Sequence, residues 1–138
     1  MYRKKKTDQY VQPMPKRRFL ELMREFKALG GQYVCSEESE AHLIKANAEA
    51  SALDGYTILF RRRPSRSAVY EELFHTQQYR DGKIDGTIKN RLECEIEAQL
   101  YLLENSERFE LTKPEIDQTK RALETYKIEL SKMKGEES

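Results

Sequence analysis

The residues with the clearest chemical potential lie in the segment SAVYEELFHTQQYRDGK, at positions 67–83. It contains His75, one of only two histidines in the chain, preceded at helical spacing by Glu71 and Glu72. Residues four apart on a helix lie one above the other, so Glu71 and His75 point the same way, while Glu72 sits about 100° around the turn. A carboxylate and an imidazole placed in this way can hold one metal ion.

The spacing matches the H-E-x-x-H motif, in which the first and fifth residues bind zinc and the glutamate activates the attacking water. Glu71 stands where that motif has its first histidine. A carboxylate is a legitimate zinc ligand, but it adds negative charge and oxygen character, so manganese and iron are alternatives to zinc. A second assignment uses Glu72 and His75 as ligands and leaves Glu71 as the base. A glutamate-rich helix also produces such a string on a solvated face, which keeps a structural role for the cluster open.

A three-ligand site needs one more donor, and the segment ECEIEAQLYL offers Glu93, Glu95 and Glu97. Glu93 and Glu97 share a face and border the apolar stripe on which this helix is expected to pack, whereas Glu95 lies away from them. An acidic pair at such a border needs a cation nearby, either a metal ion or one of the arginines at 61–63. The stripe consists of Ile88, Leu92, Ile96, Leu100 and Leu103.

The elements that must position these residues are mostly helices. Apolar periodicity and capping residues predict helices over 19–29, from Ser36 to about 50, from Ser65 or Ser67 to Asp81-Gly82, over the E-x-E-A segment, and from the Thr112–Glu115 capping box onward. Two short β-prone segments, 32–36 and 55–63, are expected to pair. The sequence therefore predicts an α+β fold, mostly helical, with four to five helices and a small two-stranded sheet.

Length and charge point to one domain, predicted to span residues 19–133. The chain has 138 residues, 38% of them hydrophobic, and a formal net charge of +1. Residues 1–18 carry seven Lys/Arg against one acidic residue, so they are predicted to form a basic flexible arm or linker. Residues 134–138 are expected to fray. Nucleic-acid binding through the arm and the arginines at 61–63 and 66 is the weakest alternative, and a nucleic acid is not the expected partner.

The sequence gives little indication of a cellular compartment or of redox chemistry. Cys35 and Cys94 lie in apolar-patterned segments and are expected to be small core residues. The start of the chain has no apolar signal region, and no apolar run approaches the roughly 20 residues that cross a bilayer. The expectation is a soluble protein with no membrane partner, either cytoplasmic or delivered as part of a larger secreted protein.

Three segments of the chain together resemble the zincin-like metallopeptidase domains at the C-terminal tips of bacterial polymorphic toxins and phage-associated effector proteins. The segments are RRPSRSAVYEELFHTQQYRDGK, ECEIEAQLYLL and LTKPEIDQTKRALETYKIEL. In those domains an E-E-x-x-H helix precedes a helix with E-x-E-A. The arrangement is also similar to short metallopeptidases that cleave phage repressors, whose third ligand is the glutamate before the alanine. The resemblance covers about residues 19–133 and is specific over 63–102.

The resemblance implies a ligand set and a function. Glu97 matches the glutamate before the alanine, so Glu71, His75 and Glu97 would hold zinc and Glu72 would be the general base. The implied activity is that of a metal-dependent peptidase, in which a metal-bound water attacks a peptide bond of a protein or peptide substrate. An immunity protein would be the natural partner of a toxin. The rival hypothesis is a non-catalytic interaction domain on the same fold, with Glu72 and His75 in a hydrogen-bond or Arg61/Arg62 salt-bridge network.

Overall fold

The computed structural model describes residues 2–4 and 11–137, with side chains described for 11–135. The elements run β1 (Tyr2–Lys4), α1 (Lys16–Ala28), β2 (Gln32–Cys35), α2 (Glu37–Lys45), β3 (Ala48–Asp54), β4 (Thr57–Phe60), α3 (Arg66–Arg80), α4 (Ile88–Glu104) and α5 (Lys113–Glu137). The predicted α+β class, mostly helical, is confirmed. None of the helices within the described ranges combines the length and low polarity needed to cross a bilayer.

The sheet is larger than the predicted pair of strands. Its order is β1-β3-β4-β2, with β2 parallel to β4, β3 antiparallel to β4, and the short β1 added antiparallel at the edge of β3. Strand β3 lies partly where the helix from Ser36 was expected to continue to about residue 50. That helix ends instead at Lys45, and Asn47 follows with a positive φ of 53°. Asparagine tolerates this left-handed conformation better than most residues.

Alanine-rich sequence explains why the first residues of β3 match the pattern of a helix. Alanine is the best helix former, but Ala48, Ala50 and Ala52 alternate along β3 and are all buried. Strand β3 packs against α3, and small side chains let the helix approach the sheet closely. Tertiary packing therefore decides the conformation of this segment against its local propensity.

Helix α1 covers the sheet and supplies much of the apolar core. Phe19, Met23 and Phe26 are buried as the periodicity predicts, whereas Leu29, just past the helix end, is exposed. The Phe19 ring meets Phe60 of β4 edge-to-face, with ring centroids 5.3 Å apart. Edge-to-face contact is a preferred geometry for aromatic pairs and orients α1 on the sheet.

The start of α3 is held by the start of α5. Ser65 caps α3 by accepting a hydrogen bond from the Ala68 N–H at 3.1 Å. The buried carboxylate of Glu115 accepts bonds from the Ser67 N–H at 2.6 Å and the Thr112 N–H at 3.1 Å. Thr112 and Glu115 form the predicted capping box, since the Glu115 N–H also donates to Thr112 Oγ1 at 3.4 Å. One carboxylate thus satisfies amides at the ends of two helices.

The folded body begins before residue 19, the boundary predicted from the sequence. Met14 is buried in the core, its N–H donates to the Pro64 carbonyl at 2.8 Å, and α1 already begins at Lys16. Arg18 Nε donates to the Tyr70 hydroxyl of α3 at 3.2 Å. Residues 14–18 therefore belong to the folded body. Residues 5–10 lie outside the described ranges. At the other end, α5 continues to Glu137 through most of the predicted tail.

Candidate metal centre

The buried face of α3 carries the three residues that opened the sequence argument. Glu71, Glu72 and His75 are 0–1% exposed, and one ligand atom from each lies within 4.8 Å of the other two. His75 Nε2 is 3.9 Å from Glu71 Oε2, as expected for an i, i+4 pair on one helix. Ligands of a tetrahedral zinc ion at about 2.0–2.1 Å are about 3.3 Å apart, so small rotamer adjustments would bring these atoms onto one ion.

The fourth member of the cluster comes from α4 and is Glu95. Its Oε1 atom lies 3.0 Å from His75 Nε2, and the side chain is 2% exposed. Glu97, the predicted third ligand, lies on the exposed side of α4, where its Oε1 atom is 3.2 Å from Lys83 Nζ. The structure thus brings Glu71, Glu72 and His75 together, and it places Glu95 of the next helix beside His75, where the sequence had predicted Glu97.

The error came from the assumed packing face of α4. Ile88 and Leu100, both on the predicted apolar stripe, are 70% and 40% exposed. The face that is buried includes two polar side chains four residues apart, Glu95 and Gln99, and its full set is Leu92, Cys94, Glu95, Ala98, Gln99 and Leu102. A hydrophobic stripe does not predict the buried face of a helix on which polar residues point inward. The signal in the sequence for the buried face of α4 was the i, i+4 pair of Glu95 and Gln99 beside the small Ala98.

Two buried glutamines orient the ligand atoms. The Nδ1 atom of His75 is 2.7 Å from Gln78 Oε1, and Gln78 Nε2 donates to the Cys94 carbonyl of α4 at 3.0 Å. Gln99 Nε2 donates to Glu71 Oε1 at 2.7 Å. Sequence reasoning had assigned no role to either glutamine. Together they connect α3 and α4 around the cluster and hold the imidazole and one carboxylate in defined orientations.

Glu72 is the fully buried carboxyl between Glu71 and His75 on α3. Neither of its carboxylate oxygens has a hydrogen-bond partner among the described residues, and the side chain is 0% exposed. Burial raises the pKa of Glu72 to about 8; the positive charge of His75 opposes this shift, and the charges of Glu71 and Glu95 add to it. A buried carboxyl in such surroundings either keeps a proton or requires a cation.

The pKa of His75 is raised, which favours the protonated imidazole. Burial acts to lower its pKa, but the contact with Glu95 and the negative charges of Glu72, Glu95 and Glu71 outweigh burial and raise the pKa to about 9. His75 Nε2 and Glu95 Oε1 lie 3.0 Å apart, so a protonated imidazole forms a buried ion pair with this carboxylate. The cluster thus attracts positive charge, from protons or from a metal ion.

Arg61 and Arg62, two of the arginines offered as the alternative to a metal ion, have other partners. Arg61 Nε donates to the Ala48 carbonyl at 2.8 Å, and Arg62 pairs with Glu40 of α2. The salt-bridge network of Glu72 and His75 with Arg61 and Arg62 is therefore not the arrangement in this structure. His42, the other histidine, lies on the exposed part of α2.

The cluster lies away from the surface cavities. One cavity of about 320 Å³ lies between α1, α3 and the segment after α4, and another of about 630 Å³ lies beside the start of α1 and the segment 62–64. Neither is lined by Glu71, Glu72, His75 or Glu95. A metal ion can reach such a site through small fluctuations, but a peptide substrate would require α3 and α4 to separate or a neighbouring segment to move.

No protein-family model matches the chain, and no curated protein or solved structure matches it either. The function must therefore be argued from the geometry of the cluster and from the motif resemblance.

Proposed function

We propose that this protein binds a divalent cation through Glu71, His75 and Glu95, and that it is a metal-dependent peptidase in which Glu72 is the general base. One observation carries the metal site: Glu71, Glu72 and His75 of α3 offer ligand atoms within 4.8 Å of one another, and each side chain is at most 1% exposed. Glu95 of α4, 2% exposed, reaches His75 Nε2 at 3.0 Å. The peptidase activity is supported by the E-E-x-x-H motif and by the resemblance to zincin-like toxin domains.

Charge balance is the physical argument for a cation. Once Glu72 and His75 are both deprotonated, the three carboxylates around the neutral imidazole carry a formal charge of −3 in a region shielded from water. Nearby Arg61 and Arg62 are engaged elsewhere, and Glu72 has no hydrogen-bond partner among the described residues. Buried charges persist in proteins when they are paired or coordinate metals, and a divalent ion removes most of this charge at once.

The donor set bears on the identity of the ion. One imidazole nitrogen and carboxylate oxygens are compatible with zinc, the ion of the resembling family. Because most of its donors are oxygens, this site also suits manganese and iron(II) better than a site with two or three histidines would. Zinc is the first candidate, and manganese and iron are the competitors.

The residues of the chain divide into two roles in this proposal. Glu71, His75 and Glu95 hold the ion, which supplies Lewis-acid polarisation and an acidified water when bound. Glu72 lies on the same helix turn and accepts the proton, and the nearby cation would lower the pKa of this carboxyl and keep it ionised as a base requires. The alternative in which Glu72 binds and Glu71 is the base is less favoured, because Glu71 is already held by Gln99. An immunity-protein partner rests on the toxin resemblance alone.

Burial favours a second candidate function, a non-catalytic interaction domain in which the cluster stabilises the packing of α3 on α4. The glutamine contacts at 2.7 and 3.0 Å are what a structural polar network requires, and the cavities of about 320 and 630 Å³ are not lined by the four central residues. In this alternative the ion, if present, has a structural role and Glu72 is not needed for turnover.

Metal content tests the site. The purified protein, dialysed against zinc and separately against manganese, should retain about one ion per chain by inductively coupled plasma mass spectrometry. His75→Ala and Glu95→Gln should lose it, while Glu97→Gln, a matched glutamate two residues away on the exposed side, should retain it. Protein that stays metal-free under both conditions would rule out the metal site, and equal loss in Glu95→Gln and Glu97→Gln would remove the role of Glu95.

Turnover separates the two candidate functions. The metal-loaded protein should cleave peptide bonds in a mixture of unfolded protein substrates, detected as new termini by mass spectrometry, and Glu72→Gln should lose cleavage while retaining the ion. Full metal occupancy with no cleavage by the wild-type protein would favour the interaction domain.

A further inference from the structure

The geometry points to Gln78 as the residue that selects the tautomer of His75 and directs its Nε2 lone pair to the ion, an inference that rests on the proposed metal site. Gln78 is a positioning residue in this role, because it touches the ligand and not the ion. It lies one turn after His75 on α3, is 1% exposed, and bridges the imidazole to the backbone of α4.

The orientation of the Gln78 amide follows from its second partner. The Cys94 carbonyl can only accept a hydrogen bond, so the amide nitrogen of Gln78 must face it, at 3.0 Å. The amide oxygen then faces His75 Nδ1 at 2.7 Å, and since this oxygen can only accept, the hydrogen must be on Nδ1. The chain of donors and acceptors thus runs in one direction, from the imidazole through Gln78 to α4.

A neutral imidazole with its hydrogen on Nδ1 has its lone pair on Nε2. Nε2 is the atom that faces the carboxylates, 3.0 Å from Glu95 and 3.9 Å from Glu71. Metal-binding histidines commonly donate their other ring N–H to a fixed acceptor, which sets the tautomer and ring orientation, and loss of such a partner typically costs about 10–100-fold in metal affinity. Gln78 supplies this acceptor and is itself fixed by the backbone of the helix that carries Glu95.

The nearest rival is that Gln78 only fills space between α3 and α4. The two roles predict different results for the tautomer of His75, which can be read by long-range ¹H–¹⁵N NMR. With only two histidines in the chain, His75 is assigned by comparison with a His42→Ala variant. In the wild-type protein without metal, at a pH that leaves the ring neutral, His75 should be the Nδ1–H tautomer. A dominant Nε2–H tautomer would overturn the inference, whether or not the protein binds metal.

Substitutions then test the effect on affinity. Zinc affinity by competition with a chelating dye should fall about 10–100-fold in Gln78→Met, which keeps the side-chain volume and removes both hydrogen bonds. Gln78→Glu keeps the acceptor for Nδ1 and should recover most of the loss. Gln77→Met changes the adjacent, exposed glutamine and should bind like the wild type.

The outcomes are separable. Undiminished zinc affinity in a folded Gln78→Met protein would refute the positioning role while leaving the metal site intact. Absence of zinc binding in the wild type would refute the proposed function, and the tautomer measurement would still decide the role of Gln78. If Gln78→Met does not fold, as judged by circular dichroism, the wild-type tautomer and the Gln78→Glu variant carry the test.

Discussion

Gln99 of α4 donates a 2.7 Å hydrogen bond from its amide nitrogen to Oε1 of Glu71 on α3. Both side chains are buried, so this bond links the two helices from within the cluster. Removing it leaves a buried carboxylate oxygen without that donor, and unmaking a buried hydrogen bond costs the desolvation of the partner left behind. The bond therefore contributes both to helix packing and to the orientation of a proposed ligand.

Gln99→Leu should lower the free energy of unfolding by about 1–3 kcal/mol, because Glu71 loses a buried donor. Urea denaturation followed by circular dichroism measures the change, with and without zinc. Glu97→Leu, on the exposed side of the same helix, is the control and should stay within about 0.5 kcal/mol of the wild type. Equal effects of the two substitutions would contradict a specific role for Gln99.

Glu115→Gln should destabilise the fold through two helix ends at once. Its carboxylate accepts from the Ser67 N–H of α3 and from the Thr112 N–H of α5, and an amide can present only one oxygen to these two donors. The expected loss is about 1–3 kcal/mol in a chemical denaturation curve. Glu129→Gln, an exposed glutamate on α5, should have almost no effect. A loss of similar size in Glu129→Gln would show that overall charge, rather than capping, is measured.

Stability of the metal-free protein should fall as the pH rises. The folded-state pKa of Glu72 is raised from 4.5 to about 8, and that of His75 from 6.5 to about 9. A raised folded-state pKa means that the folded protein binds protons more tightly than the unfolded chain, so this stability is complete below the ordinary pKa and is lost towards the raised one. The melting temperature in the presence of a chelator should therefore decline from pH 4.5 to about 9.

Zinc should reverse this trend, because the ion binds deprotonated ligands and its affinity increases with pH. The rise in melting temperature on adding zinc should be larger at the upper end of the window than at the lower end. Glu72→Gln should flatten the metal-free profile between 4.5 and about 8. A melting temperature that increases with pH in the chelated wild-type protein would show that the cluster does not retain its protons on folding.

Glu72→Gln should also be more stable than the wild type when metal is absent, at a pH above about 8 where the carboxyl ionises. The substitution replaces a buried carboxylate that lacks a hydrogen-bond partner among the described residues with a neutral group of equal size, and a gain of about 1–3 kcal/mol is expected. Differential scanning calorimetry in chelator measures it. A destabilised variant would indicate that the Glu72 charge already has compensation that does not depend on metal.

Local periodicity was sufficient to predict much of the fold and the convergence of three side chains on α3. The α+β class, the start of α3 at one of two serines, the capping box at Thr112–Glu115, and the convergence of Glu71, Glu72 and His75 all depend on residues a few positions apart. The structure selects Ser65 over Ser67 as the cap of α3. Helical geometry fixes such relationships without reference to the rest of the chain, so they can be read from the sequence alone.

The tertiary structure decided which side of α4 faces α3, and with it the choice of Glu95 over Glu97. Both are glutamates of one E-x-E-A string, and only the rotation of the helix against its neighbour places one at His75 and the other beside Lys83. Packing also turned the alanine-rich segment 48–54 into strand β3, against its helix propensity. These outcomes depend on contacts between residues that are distant in the chain. The free energies of such contacts exceed local conformational preferences, and the contacts produce no periodic pattern in the sequence.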